Sequence, residues 1–195
     1  ETGAIISPTS LDSFVGRKTK VVSLSAIDPM GLGPISTTIR SLCGGGPSYS
    51  KAKFIDLLNR IIVLKEKYSF KVVVGGPGAW QLFDERALNI YGIDHLVIGE
   101  GEKIIPDLFS KLVCNGDYPL RIITGKTPKA KEIPPILGST TNGLIEASRG
   151  CGRGCMWCVS SIKGKMRCIP IDVIKKSAEI NVRNGVNEII LQSDD

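Results

Sequence analysis

The chain has 195 residues, with 42% hydrophobic and 23% charged residues and 25 lysines and arginines against 19 acids, a net charge of +6. That is the balance of a globular protein of one or two domains, and it excludes a disordered chain. No apolar run approaches the roughly 20 residues of a membrane helix, and no basic-then-apolar leader opens the sequence, so a cytoplasmic chain with no membrane partner is expected. The sequence starts at Glu1 rather than Met and stops at Asp195 just after an apolar run, which reads as a piece cut from a longer protein.

In chain order, residues 20–26 (KVVSLSA) are a short β-branched run ending at Asp28-Pro29 and a glycine-rich turn, and they predict a strand. A helix follows, reaching Leu42. Phe54, Leu57, Leu58, Ile61, Ile62 and Leu64 recur every three or four residues, the stripe of an amphipathic helix. Residues 71–74 (KVVV) are a run apolar after Lys71 and cut off by Gly75-Gly76-Pro77-Gly78. Residues 95–98 (HLVI) are another such run, begun by His95 and ended by Gly99-Glu100-Gly101-Glu102. Leu108 and Leu112 mark a further helix. Apolar strands that end in glycine turns and alternate with helices predict βαβ units, an α/β fold built on a Rossmann-like parallel sheet. Ligands of such sheets bind outside the carboxyl ends of the strands, where these three turns would lie.

Residues 126–139 (KTPKAKEIPPILGS) have three prolines and no periodicity, and read as a linker. A second unit then begins with a strand at 143–147. It continues with a helix from Pro170 to Val182, closed by Gly185, and another strand at 188–192. The basic excess sits in patches such as Lys126, Lys129, Lys131 and Lys163, Lys165, Arg167. Such patches suit nucleic acid or an anionic cofactor, or are simply a solvated face. With 6% aromatics and none interleaved among them, nothing in the sequence supports a nucleic-acid partner.

The chemistry is concentrated in Ser148-Arg149-Gly150-Cys151-Gly152-Arg153-Gly154-Cys155-Met156-Trp157-Cys158. Three of the six cysteines crowd into eight residues, spaced C-x3-C-x2-C, whereas Cys43, Cys114 and Cys168 are scattered. Crowding of this kind suits metal ligation in a reducing compartment better than a disulfide framework. Thiolates on one glycine-rich loop can hold three corners of an iron–sulfur cubane and leave the fourth iron open. A structural zinc site wants four closed ligands, and here it would have to recruit Cys168. Both remain readings of the residues alone.

The three-cysteine loop, with its aromatic Trp157 ahead of the last cysteine, resembles the signature of the radical S-adenosylmethionine (SAM) superfamily. The resemblance implies that Cys151, Cys155 and Cys158 ligate a [4Fe–4S] cluster whose fourth iron chelates SAM. Reductive cleavage of SAM then gives a 5′-deoxyadenosyl radical. It also implies that Trp157 lies against the adenine, and that the strand, cluster loop, helix and strand are the start of a partial (β/α)6 barrel. Ser193 and Asp194 close the second barrel strand, where the family contacts the SAM amino group. The family's frequent Gly-Gly-Glu is replaced there by Gln192-Ser193-Asp194-Asp195. A small electron carrier of the flavodoxin or ferredoxin kind is the implied partner.

The upstream unit resembles the cobalamin-binding domain that often precedes such barrels. Ser23, Gly75, Gly76, Gly99 and Glu100 are the implied cobalamin contacts, since small residues at strand ends let a corrin or its nucleotide tail approach the backbone. The family's Asp-x-His-x-x-Gly loop has no intact copy. Asp28-Pro29-Met30-Gly31-Leu32-Gly33 keeps its spacing with Met30 in the histidine position. A bound cobalamin and a scaffold that has lost it fit equally well. The expected organisation is therefore a cobalamin-binding-like domain over 1–125, a linker over 126–140 and the start of a radical SAM barrel over 141–195. The expected activity is that of a radical SAM enzyme transferring a methyl or other group with cobalamin, in a fragment inactive by itself. Radical methylthiolation or RNA modification is the alternative within that class, and a zinc-stabilised α/β binding module with no redox chemistry the alternative outside it.

Overall fold

The computed structural model describes residues 3–156 and 165–193. The chain divides into two compact units, Glu1–Lys126 and Thr127–Asp195.

Unit 1 opens with a short helix, α1 (Leu11–Phe14), and four strands then alternate with helices. In order these are β1 (Val21–Ser25), α2 (Pro34–Leu42), α3 (Tyr49–Lys67), β2 (Lys71–Gly75), α4 (Glu85–Ile90), β3 (His95–Ile98), α5 (Ile105–Val113) and β4 (Ile122–Thr124). The strands form one parallel sheet in the order β1-β2-β3-β4, with Val22 beside Val72, Val73 beside His95 and Val97 beside Ile123. This is the Rossmann-like parallel sheet that the alternation predicts. Strand β4 is not among the predicted elements.

Because side chains alternate across a strand, the apolar run of β2 serves both faces. Val72 and Val74 join Leu96 against Phe54, Leu58 and Ile61 of α3 and Leu88 of α4. Val73 joins Val97 and Ile123 against Leu108 and Leu112 of α5. Helix α3 is well punctuated. The Ser48 hydroxyl caps it by accepting from the Lys51 N–H, and Lys65 and Lys67 fall in its last turn, where the helix dipole favours cations. His95 is buried. Its Nδ1 sits 3.0 Å from the Leu120 carbonyl, which can only accept, and its ring meets Tyr118 edge-on, so it is a packed and hydrogen-bonded residue of unit 1.

Unit 2 contains β5 (Leu144–Glu146), β6 (Ser148–Arg149), β7 (Arg167–Cys168), α6 (Ile171–Arg183) and β8 (Ile190–Gln192). Strands β5 and β8 pair in parallel, with Ile145 beside Leu191, and α6 is the crossover between them. This β-α-β unit matches the expectation. Pro170 stands at the N-cap of α6, and Asn184-Gly185 follow its end. The proline-rich stretch read as a linker is tied to α6. The Ile136 N–H donates to Ser177 Oγ (3.3 Å) and the Thr140 N–H to Asn181 Oδ1 (2.8 Å). Ser177 and Asn181, one turn apart, are both buried, and so is Ile133. No helix among the described residues is long and apolar enough to cross a membrane.

Candidate metal centre

At Ala147 the backbone passes out of the parallel sheet. Its N–H donates to Gln192 of β8 (2.7 Å), and its carbonyl accepts from Ile169 (2.9 Å). The next two residues, Ser148 and Arg149, pair antiparallel with Cys168 and Arg167. The chain therefore leaves at Gly150 and returns at Met166 through a two-residue ladder at the carboxyl end of β5. Within that excursion Gly150, Gly152 and Gly154 have φ of 74°, 72° and 63°, a left-handed conformation that side chains resist. The glycines alternate with Cys151, Arg153 and Cys155, so the thiols lie on a chain turning at every second residue.

Cys151 is half-buried and Cys155 exposed, and both are free thiols. Cys158, Trp157 and Asp194 lie outside the described residues. Cys168 is also a free, exposed thiol, at the base of the excursion opposite Ser148. Among the described residues no three Cys, His, Asp or Glu side chains converge. Unoxidised thiols on a glycine-turned loop have the donor chemistry of an iron–sulfur ligand set. The residues present fit that group.

Two side-chain pairs bracket the exit of this loop. The hydroxyls of Ser148 and Ser193 are 2.7 Å apart, linking the root of the cysteine loop to the residue after β8. Of the residues expected to contact SAM, Ser193 is thereby brought to the loop. The second pair was not expected. Arg149 Nε and Nη2 donate to Glu146 Oε1 and Oε2, each at 2.7 Å, a two-pronged ion pair in which the arginine side chain is only 12% exposed. No spacing rule for strands announces it. The only available signal was an acid and an arginine shortly before the first cysteine.

In unit 1 the strand-end glycines differ from one another. A side chain at Gly76 would come within 2.7 Å of the Ala26 nitrogen, and one at Gly78 within 2.2 Å of the Ile27 carbonyl oxygen. Those positions are glycine because the loop after β1 lies directly on the loop after β2. Gly75 has only ordinary contacts, with Val97 at 3.6 Å. At Gly99, with φ of +90°, nothing lies closer than Gly125 at 3.8 Å. Glu100 beside it is buried, and Ser23 is exposed in the middle of β1 rather than at its end.

The loop carrying Asp28 is organised by that carboxylate. It accepts from the Gly33 N–H (2.9 Å), the Ser36 hydroxyl and the Gln81 amide (2.8 Å), while Gln81 Oε1 accepts from the Met30 N–H (2.8 Å). Burial alone would push the Asp28 carboxyl up. The hydrogen bonds from Ser36, Gln81, Gly33 and Leu32 together outweigh it and hold the group below the ordinary carboxylate range. Met30 packs against the core and points no ligand outward. The Asp-to-Gly spacing thus closes a loop.

A parallel sheet unit is followed along the chain by a β-α-β unit whose first strand leads into a glycine-rich cysteine loop, and this fold has solved counterparts. The fold matches a radical S-adenosylmethionine methyltransferase, TsrM, from Kitasatospora setae, solved with tryptophan substrate and a SAM analogue. The match has a TM-score of 0.61 at 16% identity and covers 96% of this chain and 39% of that one. The same enzyme solved with cobalamin and a [4Fe–4S] cluster matches at 0.60. The Rossmann-like α/β fold read from the sequence is thus borne out.

Sequence relatives are more specific. The ribosomal protein uS12 methylthiotransferase of Thermotoga maritima is 26% identical over 75% of this chain and 33% of its own length. That of Chlamydia pneumoniae is 38% identical over 72% and 29%. The tRNA-2-methylthio-N(6)-dimethylallyladenosine synthase of Fusobacterium nucleatum is 28% identical over 69% and 31%. The chain spans about a third of the length of these curated relatives. No known family profile matches it.

Proposed function

We propose that this chain is the cluster-bearing part of a radical SAM enzyme, preceded by a cobalamin-binding-like unit. In this reading residues 1–125 form that unit, 126–140 connect it, and 141–195 begin the barrel. Cys151, Cys155 and Cys158 hold a [4Fe–4S] cluster. Trp157 lies against the adenine of SAM, and Ser193 and Asp194 meet its amino group. The bound cluster supplies the electron that cleaves the sulfonium and starts the radical chemistry. The chain's own residues present three thiolates on one loop and fix SAM beside it. The strand-end edge formed by Gly75, Gly76, Gly99 and Glu100, with Ser23, is the candidate cobalamin surface, and Gly99 has the open space for a close approach.

The observation that carries the reading is the 2.7 Å contact between Ser148 and Ser193. It joins the root of the thiol loop to the strand end assigned to the SAM amino group. The reaction class is transfer of a methyl or related group to an unactivated carbon, supported by neighbours and relatives that are methyl- or methylthiotransferases. Methylthiolation is a second reading, favoured because the curated sequence relatives carry that activity. A small flavodoxin- or ferredoxin-type carrier would deliver the electron. Thiolate ligation of a cluster favours a reducing compartment such as the cytoplasm.

Anaerobic reconstitution with iron and sulfide tests it. About four iron and four sulfide per chain are expected, abolished by Cys151→Ala, Cys155→Ala or Cys158→Ala. A single zinc without sulfide, or a triple variant that takes up as much iron as the wild type, overturns it. Corrin uptake from solution separates the cobalamin-binding unit from a scaffold that has lost the cofactor.

A further inference from the structure

The Glu146–Arg149 pair lies at a mechanical junction. Glu146 is the last residue of β5, paired in parallel with Gln192, and Arg149 is the last residue of β6 before the loop, paired antiparallel with Arg167. The fork between them spans Ala147 and Ser148, the two residues over which the chain changes from one ladder to the other. A planar guanidinium with two parallel bonds to one carboxylate fixes orientation as well as distance, which an ammonium does not. Only Gly150 separates Arg149 from Cys151. Arg167, its ladder partner, is anchored in turn by a bond from Nη1 to the Pro128 carbonyl (2.8 Å). Cys151, next to the brace, is half-buried, whereas Cys155 further out is exposed.

We infer that Glu146 and Arg149 are positioning residues that fix the direction in which the thiol loop leaves the sheet, and so hold Cys151 ready for its ligand. The inference rests on the cluster-binding reading above, and it also makes a prediction for the metal-free chain. Groups that orient metal ligands without touching the metal are worth about 10–100-fold in metal affinity.

The test compares wild type, Glu146→Gln, Arg149→Lys, Arg149→Gln and the double Glu146→Gln/Arg149→Lys, with Lys175→Gln on α6 as control. In the metal-free chain, alkylation resolved by peptide mass spectrometry should show Cys151 reacting faster in every fork variant, with Cys155 unchanged. In the reconstituted chain each fork variant should release iron to a chelator about 10–100-fold faster. The double should be no worse than the singles, because the two residues act as one unit. Should Arg149→Lys fail to fold, Glu146→Gln leaves the arginine a neutral acceptor and carries the same two readouts.

Arg149→Lys behaving as wild type while Arg149→Gln does not would show that charge alone matters, and overturns the inference. So would unchanged Cys151 alkylation in all variants. A wild-type chain that takes up no iron sinks the cluster reading instead, and the alkylation result still decides the positioning role.

Discussion

At the scale of single residues, Asp28 shows how much of a motif is chemistry and how much is loop closure. Its spacing to Gly33 is visible in the sequence, and its bond to the Gly33 N–H explains that spacing. Gln81 lies 53 residues away, and nothing local announces it. Because hydrogen bonds hold the folded carboxyl below its unfolded value, its contribution is complete above the unfolded pKa of about 3.9 and is lost as pH falls through the lower folded value. Asp28→Asn should therefore lower the unfolding free energy at pH 7, read from urea denaturation, by about 1–3 kcal/mol for a charge-assisted network. The gap to wild type should narrow as the pH is taken below about 4. A gap that stays constant from pH 7 to pH 3 would mean the carboxylate charge contributes nothing there. The cysteines were legible for the opposite reason, since their ligand chemistry is written within eight consecutive residues. Glu146 and Arg149 were not, because a fork across a change of ladder has no sequence period.

Elements were read best where apolar periodicity was long. The stripe at Phe54, Leu58 and Ile61 is the buried face of α3, with Leu57 and Leu64 packed beside it. Strand β3 lies where three apolar residues after His95 end in glycine. Strand β4 escaped notice because three residues give no alternation to count. Nor does the apolar pattern of α5 say which face of the sheet it covers. Strands β2, β3 and β4 step across the sheet in one direction, yet α4 and α5 lie on opposite faces. These two crossovers therefore differ in hand, a departure from the usual right-handed preference that no local pattern encodes. Helix α2 is amphipathic but leaves Ile35, Ile39 and Leu42 exposed, so periodicity there did not mean burial. The contrast can be measured along α3. Leu58 is fully buried, and Leu58→Ala should cost about 2–5 kcal/mol, whereas Val63→Ala, at 65% exposure, should stay within roughly 0.5 kcal/mol. Equal shifts in the urea midpoint would contradict the packing described for α3.

For the whole molecule, the two units differ in how they are held together. Both apolar clusters of unit 1 draw only on its own residues, from Leu11 to Ile123. Among the described residues of unit 2 the buried apolar set is Ile133, Ile145 and Ile169, and the polar Ser177 and Asn181 are buried beside them. The Asn181 carbonyl oxygen holds Thr140, but its amide nitrogen is buried with no partner, a cost carried by a small core. The proline-rich stretch read as a linker is hydrogen-bonded onto this unit, its partners sitting on a helix some 40 residues later. A unit of this size with so few buried apolar side chains is marginal on its own, and ligation of a metal cluster adds binding energy directly to folding. Residues 1–126 expressed alone should therefore unfold in one cooperative urea transition. Residues 127–195 without metal should show a shallow, poorly cooperative transition, and anaerobic iron–sulfide loading should steepen it and move it to higher urea. A metal-free 127–195 fragment that already unfolds as sharply as the loaded one would show that its stability does not come from the thiol loop.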